Sequence, residues 1–262
     1  MIKHLIPIAG KHSISRVTAI VFLPQIFVKP EDVFEKLKNS IGLSNYQRKN
    51  LTKLRTININ DVSSGQTNKE KVNGFVFEEY DDIGRLKNIL RLENKNDKQS
   101  SIIFESRIYP NWKSFKERLI NDLKEFDKEF PFYVEAISLG YIDEFLWASN
   151  DEKINVNEIF NIDSELLNKK FLDSESGTLI LHSQNKKTNV DDEEKTEISF
   201  NNRLKRITLN HQFAIKLDSI YKFETLDQNL KLSKYYEQAH NANKSVLKEI
   251  LTKQVQDLIK LK

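Results

Sequence analysis

The spacing of apolar and polar positions divides the chain into strand-like and helix-like stretches. Residues 13–27 are β-branched and free of glycine. Ile14, Arg16, Thr18 and Ile20 alternate there with Ser15, Val17, Ala19 and Val21, which predicts a first strand. Pro30-Glu31-Asp32 opens a helix, because proline fits a first turn and acids fit its positive end. Val33, Phe34, Leu37 and Ile41 supply its apolar stripe. Over 54–109 the period shortens to that of strands. Phe75 and Phe77, the turn Asp81-Asp82-Ile83-Gly84, the run 85–92, the turn Asn94-Lys95-Asn96-Asp97 and the run 101–109 predict an antiparallel meander. In the last run Ile102, Phe104 and Ile108 share one face, and Ile103, Glu105, Arg107 and Tyr109 the other.

Trp112, Phe115, Leu119, Leu123, Phe126 and Phe130 then recur at helical spacing behind the N-cap candidate Asn111, and Pro131 ends the pattern. A strand over 132–145 follows, and 148–172 predicts short helical turns. Residues 178–183, 197–204 and 207–221 read as strands. The stretch 184–196, polar apart from Val190, reads as an exposed, mobile loop. The chain closes with a predicted long helix over 227–260, opened by a Thr225/Gln228 capping box. Its broad stripe holds Ala239, Asn243, Val246, Leu247, Ile250, Leu251, Val255, Leu258 and Ile259. The expected architecture is α+β: mainly antiparallel sheet covered by helices, with a long C-terminal helix. A single compact domain over 1–262 is expected, with two packed halves, 1–147 and 148–262, as the alternative.

Composition narrows this picture. With 262 residues, 39% hydrophobic and 30% charged, the chain can build an ordinary globular core. It has no cysteine, which excludes disulfides, thiolate-held zinc, iron–sulfur clusters and a cysteine nucleophile together. The first eight residues hold no apolar core of signal-peptide length, and no run approaches the roughly 20 apolar residues of a membrane span. A cytoplasmic protein with no membrane partner is expected. The 41 basic and 38 acidic residues are interspersed and give a net charge of +3, so no strong overall field draws the chain to nucleic acid.

Motifs for chemistry are sparse. Seven glycines include no G-x-G, and Gly10-Lys11 lacks the upstream glycine of a phosphate loop. G-x-S-x-G and H-E-x-x-H are also missing. None of His4, His12, His182, His211 and His240 are four apart, although His182 and His211 could meet on adjacent strands. Glu193-Glu194-Lys195, with Asp173 upstream, matches the acid–x–lysine element of a metal-dependent nuclease, but it falls in the most polar stretch. Basic residues interleave with tyrosine at Tyr46, Arg48, Lys49, Lys53 and Arg55, and again at Lys231, Lys234, Tyr235 and Tyr236. This pattern would suit single-stranded nucleic acid. His240 and Asn243 lie on or beside the apolar stripe of the last helix, where a polar group needs a partner or costs about 1–3 kcal/mol. Tyr141 and Asp143 pose the same question on their strand.

Tyr109-Pro110-Asn111-Trp112-Lys113-Ser114-Phe115, then Ile137-Ser138-Leu139-Gly140-Tyr141-Ile142-Asp143, resemble the central part of a sporadically distributed, uncharacterised bacterial family of similar length. The stretch from His240 through Asn243 and Leu247 to Thr252 is similar to that family's final helix. The chain departs at Gly140, where the family usually carries arginine. The family's patchy distribution implies a host-defence or mobile-element setting.

The binding candidates are therefore Arg107, Tyr141, Asp143, His240 and Asn243. No catalytic residue, metal ligand or cofactor is expected. The expected function is a noncatalytic binding or interaction protein, a subunit of a bacterial defence or mobile-element system, whose partner is another protein or a second copy. The alternative is an enzyme or sensor acting on nucleic acid or nucleotides through a metal-dependent site.

Overall fold

Strands dominate. The computed structural model describes residues 2–56, 69–186 and 191–261. In chain order these form β1 (Leu5–Pro7), β2 (Ile14–Leu23), α1 (Pro30–Leu37), β3 (Arg48–Thr56), β4 (Lys69–Tyr80), β5 (Leu86–Asn94), β6 (Ser100–Ser106) and α2 (Trp112–Glu129). Next come β7 (Tyr133–Trp147), α3 (Val156–Ile159), α4 (Lys169–Leu172), β8 (Ser176–Lys186), β9 (Asp191–Asn201), β10 (Arg206–Lys222), α5 (Phe223–Gln228), α6 (Lys231–Ile250) and α7 (Lys253–Leu258). All ten strands join one antiparallel sheet in the order β3-β4-β5-β6-β2-β7-β10-β9-β8, with β1 pairing the end of β7.

Side chains alternate across such a sheet, so the register sorts them onto two faces. One face carries Val17, Ala19, Val21, Phe75, Phe77, Phe104, Leu139 and Phe213, all buried. Helices α1, α2, α5 and α6 pack on it and complete a first apolar cluster. Phe126 of α2 lies beside Phe27, Phe75 and Phe132, and Phe132 stacks on Phe223 of α5. A second cluster covers the same face toward β8, where Phe171 of α4 meets Phe160 and Phe200, and Leu247, Ile250 and Val255 close over Ile198 and Leu209. No described helix packs on the opposite face.

The expected α+β frame with a long terminal helix is corrected. The sheet is the body of the molecule, and 227–260 is not one helix. α5 stops at Gln228, and Leu230 adopts a left-handed conformation (φ 54°) before α6 begins. α6 stops at Leu251, whose backbone is extended and bridges Phe160, while Thr252 N donates to Ile159 O at 3.0 Å and its hydroxyl to Glu158 O at 2.7 Å. The apolar stripe ran through these breaks because all three helices bury an apolar side, α5 in the first cluster, α7 in the second and α6 in both. No Thr225/Gln228 capping box forms, since Thr225 lies inside α5.

The polar stretch 184–196 is corrected too. Apart from 187–190, which include Val190 and lie outside the described residues, it forms the ends of β8 and β9, paired in unbroken register from Ser176↔Asn201 to Lys186↔Asp191. An outer hairpin has little apolar alternation to reveal it. Ile41, expected on the first helical stripe, is 90% exposed beyond the end of α1. Among the described residues no helix is long and apolar enough to cross a membrane.

Candidate functional site

The start of α2 and the middle of α6 meet above β7 on the covered face. Asn111 caps α2 by accepting from Ser114 N at 2.9 Å, as its sequence position predicts, and this sets Trp112 in the first turn. The Trp112 ring lies flat on the His240 imidazole, with centroids 4.3 Å apart and planes 11° from parallel. Trp112 Nε1 donates to Glu237 Oε2 at 2.8 Å, and Lys116 Nζ donates to the same oxygen at 2.8 Å. Beneath the imidazole, the Tyr141 hydroxyl lies 2.7 Å from His240 Nδ1, and Tyr109 stands edge-on to Tyr141 with centroids 6.3 Å apart. Two residues along β7, Asp143 Oδ1 accepts from Ser13 Oγ at 2.5 Å. Asp143 Oδ2 meets no donor among the described residues.

Burial acts against charge at the centre of this cluster. Burial pushes the His240 imidazole down to about 4, and Lys244 and Lys116 act in the same direction against Glu237. The ring is neutral at neutral pH, which leaves Nδ1 able to accept the Tyr141 proton. Burial pushes Asp143 up to about 6, with Ser13 opposing. Desolvation also raises the Tyr141 phenol well above its ordinary value.

The polar line continues across the sheet. His211 on β10 pairs with Tyr141 on one side and Thr196 on the other, so all three point to the covered face. Thr196 Oγ1 lies 2.9 Å from His211 Nδ1, and burial pushes that imidazole down to about 4. His211 Nε2 is 3.8 Å from Glu194 Oε1, too long for a hydrogen bond. Burial, then the charge of Asp192, raises the Glu194 carboxyl. Asn243 is 2% exposed on α6, one turn beyond His240. Tyr141, Asp143, His211 and Thr196 thus form a buried polar seam where the two apolar clusters meet.

Tyr141 and His240 are therefore brought together, Asp143 sits beside them, and Asn243 follows on the same helix. Their partners Trp112, Lys116 and Glu237 were not singled out for this role from sequence, because the contact needs α2 and α6 to cross. The geometry is that of a clasp: a neutral, buried Tyr141–His240 pair, capped at the rim by Trp112 and the Lys116–Glu237 ion pair, fastens two helices to a strand. No group of three or more His, Asp or Glu among the described residues is placed to hold a metal.

Arg107 lies elsewhere. Its Nε donates to Glu105 Oε1 at 2.7 Å, and Arg16 approaches the same carboxylate at 3.8 Å, on the face away from the helices. His182 and His211 are separated by β9 and point to opposite faces, since His182 pairs with Lys195 while His211 pairs with Thr196. Glu193 lies 2.8 Å from His182 Nε2. Asp173 ends α4, whose Phe171 packs beside Gly177, whereas Glu193 pairs with Gln184. Seven residues of strand, roughly 23 Å, separate Gly177 from Gln184. Two of the tyrosines placed among basic residues are committed internally: Tyr46 donates to Asp122 at 2.5 Å, and Tyr236 to Ile20 O at 3.1 Å. The Arg55 side chain lies outside the described residues.

The bare face offers a different surface. Ile20 sits between Ile103 and Ser138, and Phe22 between Ser101 and Ala136, with Ala214 and Ile142 close by in register. Ile20, Phe22, Ile103, Ala136, Ile142 and Ala214 are all half-buried by their neighbours alone. Around them Arg16 and Arg107 pair with Glu105, Arg48 with Glu78, Arg91 with Glu93 and Arg206 with Glu144. A concavity of about 480 Å³ is lined by Phe22, Ala136, Ala214, Lys216, Gln184 and Glu193, so five strands curl around it. Compared with family models, curated proteins and solved structures, the chain matches none.

Proposed function

We propose that this chain is a noncatalytic interaction protein that holds a protein partner against the bare face of its sheet. The observation that carries the reading is an apolar centre, Ile20, Phe22, Ile103 and Ala136, ringed by arginines that already have carboxylate partners. An apolar core with a polar, mixed-sign rim is the anatomy of a protein–protein interface. Nucleic acid calls for a track of unneutralised cations, and each arginine of this rim is matched. The concavity at Phe22 and Ala214 gives a partner side chain a place to anchor. A subunit of a bacterial defence or mobile-element system is the setting that the family resemblance supports.

A photoreactive phenylalanine analogue at Phe22, introduced into the full-length chain in cells, tests this. The expected result is one protein adduct that disappears with Ile20→Asp/Ile103→Asp. In the purified complex, β2, β6 and β7 amides should gain protection from hydrogen exchange. A nucleic-acid adduct, no adduct, or metal-dependent nucleic-acid hydrolysis abolished by Glu193→Ala would overturn it.

A further inference from the structure

The two edges of the sheet are built differently. β3 carries Arg48, Lys49, Lys53 and Arg55, with a bulge between Thr52 and Lys53. Basic side chains and bulges are the usual devices that stop an exposed strand from pairing with another chain. β8 has neither. Its register with β9 is unbroken over eleven residues, and 176–184 reads Ser-Gly-Thr-Leu-Ile-Leu-His-Ser-Gln, with no lysine, arginine, aspartate, glutamate or proline. Its outer edge pairs with no strand among the described residues. Ile180 is 56% exposed on the bare face, and Leu179 and Leu181 lie half-buried at the lip of the second apolar cluster.

We propose that β8 is the docking edge for a second copy of this chain, two β8 strands pairing antiparallel about a two-fold axis through Ile180. The sequence is close to self-complementary in that register. Ile180 faces the partner's Ile180, and Leu179 faces the partner's Leu181. Thr178 then faces the partner's His182, Gly177 the partner's Ser183, and Ser176 the partner's Gln184. No pair sets like charges opposite each other, and the leucines extend the second cluster across the axis. Self-pairing of β3 would instead bring basic residues together, so the choice of edge is written in the side chains. The assembled sheet doubles in width and sets two bare faces side by side.

Light scattering and sedimentation of the pure full-length chain test the proposal. The parent should show twice the 30.7 kDa chain mass at high micromolar concentration, with protection of β8 amides. Ile180→Lys and Ile180→Glu should each be monomeric, with unchanged melting because the site is exposed. Mixing the two variants should restore a heterodimer, since the axis places position 180 against itself. A parent that stays monomeric, a variant that dimerises like the parent, or a mixture that does not associate overturns it. Ile20→Asp on the bare face should leave the dimer intact, so loss of the dimer and loss of the bare-face partner are read separately.

Discussion

The two faces of the same sheet are built from the same strands yet answer to different demands. On the covered face Phe75, Phe77, Phe104, Leu139 and Phe213 disappear beneath helices. Their polar neighbours Tyr141, His211 and His240 are buried with them and neutral. On the bare face many residues one position away along the strands remain half-buried, and charges are balanced by partners on the same or the neighbouring strand. Stability is concentrated on one side, so the other is free to carry recognition. Substitutions should divide the same way.

The largest contrast is expected at the aromatic core. Phe126→Ala removes a ring packed against Phe27, Phe75 and Phe132 and should cost roughly 3–5 kcal/mol in urea denaturation. Ile103→Ala on the bare face should cost less than half as much. Equal costs would erase the distinction between the faces. Next comes the clasp: Tyr141→Phe keeps the ring but leaves His240 Nδ1 without its partner, for a loss of about 1–2 kcal/mol.

The seam also sets a pH response. His211 and His240 sit near 4 against an ordinary 6.5, so the unfolded chain binds more protons between those values. Their contribution is intact above 6.5 and drains away as pH falls toward 4. Asp143, near 6 against an ordinary 3.8, has the opposite sign, and its burial becomes less costly over much of that window. His211→Gln should therefore lose less stability than the parent between neutral pH and about pH 5, and Asp143→Asn should lose more. Paired urea melts at the two pH values decide it. The smallest effect belongs to the rim: Arg107→Ala should change stability by about 1 kcal/mol or less, since Arg107 is exposed and Arg16 stays beside the Glu105 carboxylate. A larger loss would mean that the bare face is part of the folding core.

The covered face was the more legible of the two. α2 could be placed from sequence because its N-cap, its stripe and Pro131 all act within a few residues. The meander was legible for the same reason. Polar residues on apolar stripes pointed to Tyr141, Asp143, His240 and Asn243, because burial of a polar group shows as a break in pattern. Their partners did not show, since Trp112 meets His240 and Glu237 across more than a hundred residues of chain. The break at Leu230 was hidden because the turn uses a leucine in a conformation usually left to glycine. The break at Leu251 was hidden because its cause, the bridge to Phe160, lies far back in the chain. In the outer hairpin 178–183 and 197–201 read as strands, but their polar extensions over 184–186 and 191–196 escaped because a two-sided polar strand carries no period to read.

α6 has a mechanical consequence. Leu232, Tyr236 and Ala239 belong to the first apolar cluster, whereas Leu247 and Ile250 belong to the second. One rigid rod is thus rooted in both halves of the interior, and neither half can loosen without prying up the other's lid. The two clusters should therefore melt as one cooperative unit, with a single transition and a steep one. What looks along the sequence like a tail is the beam that makes one folding unit out of two cores.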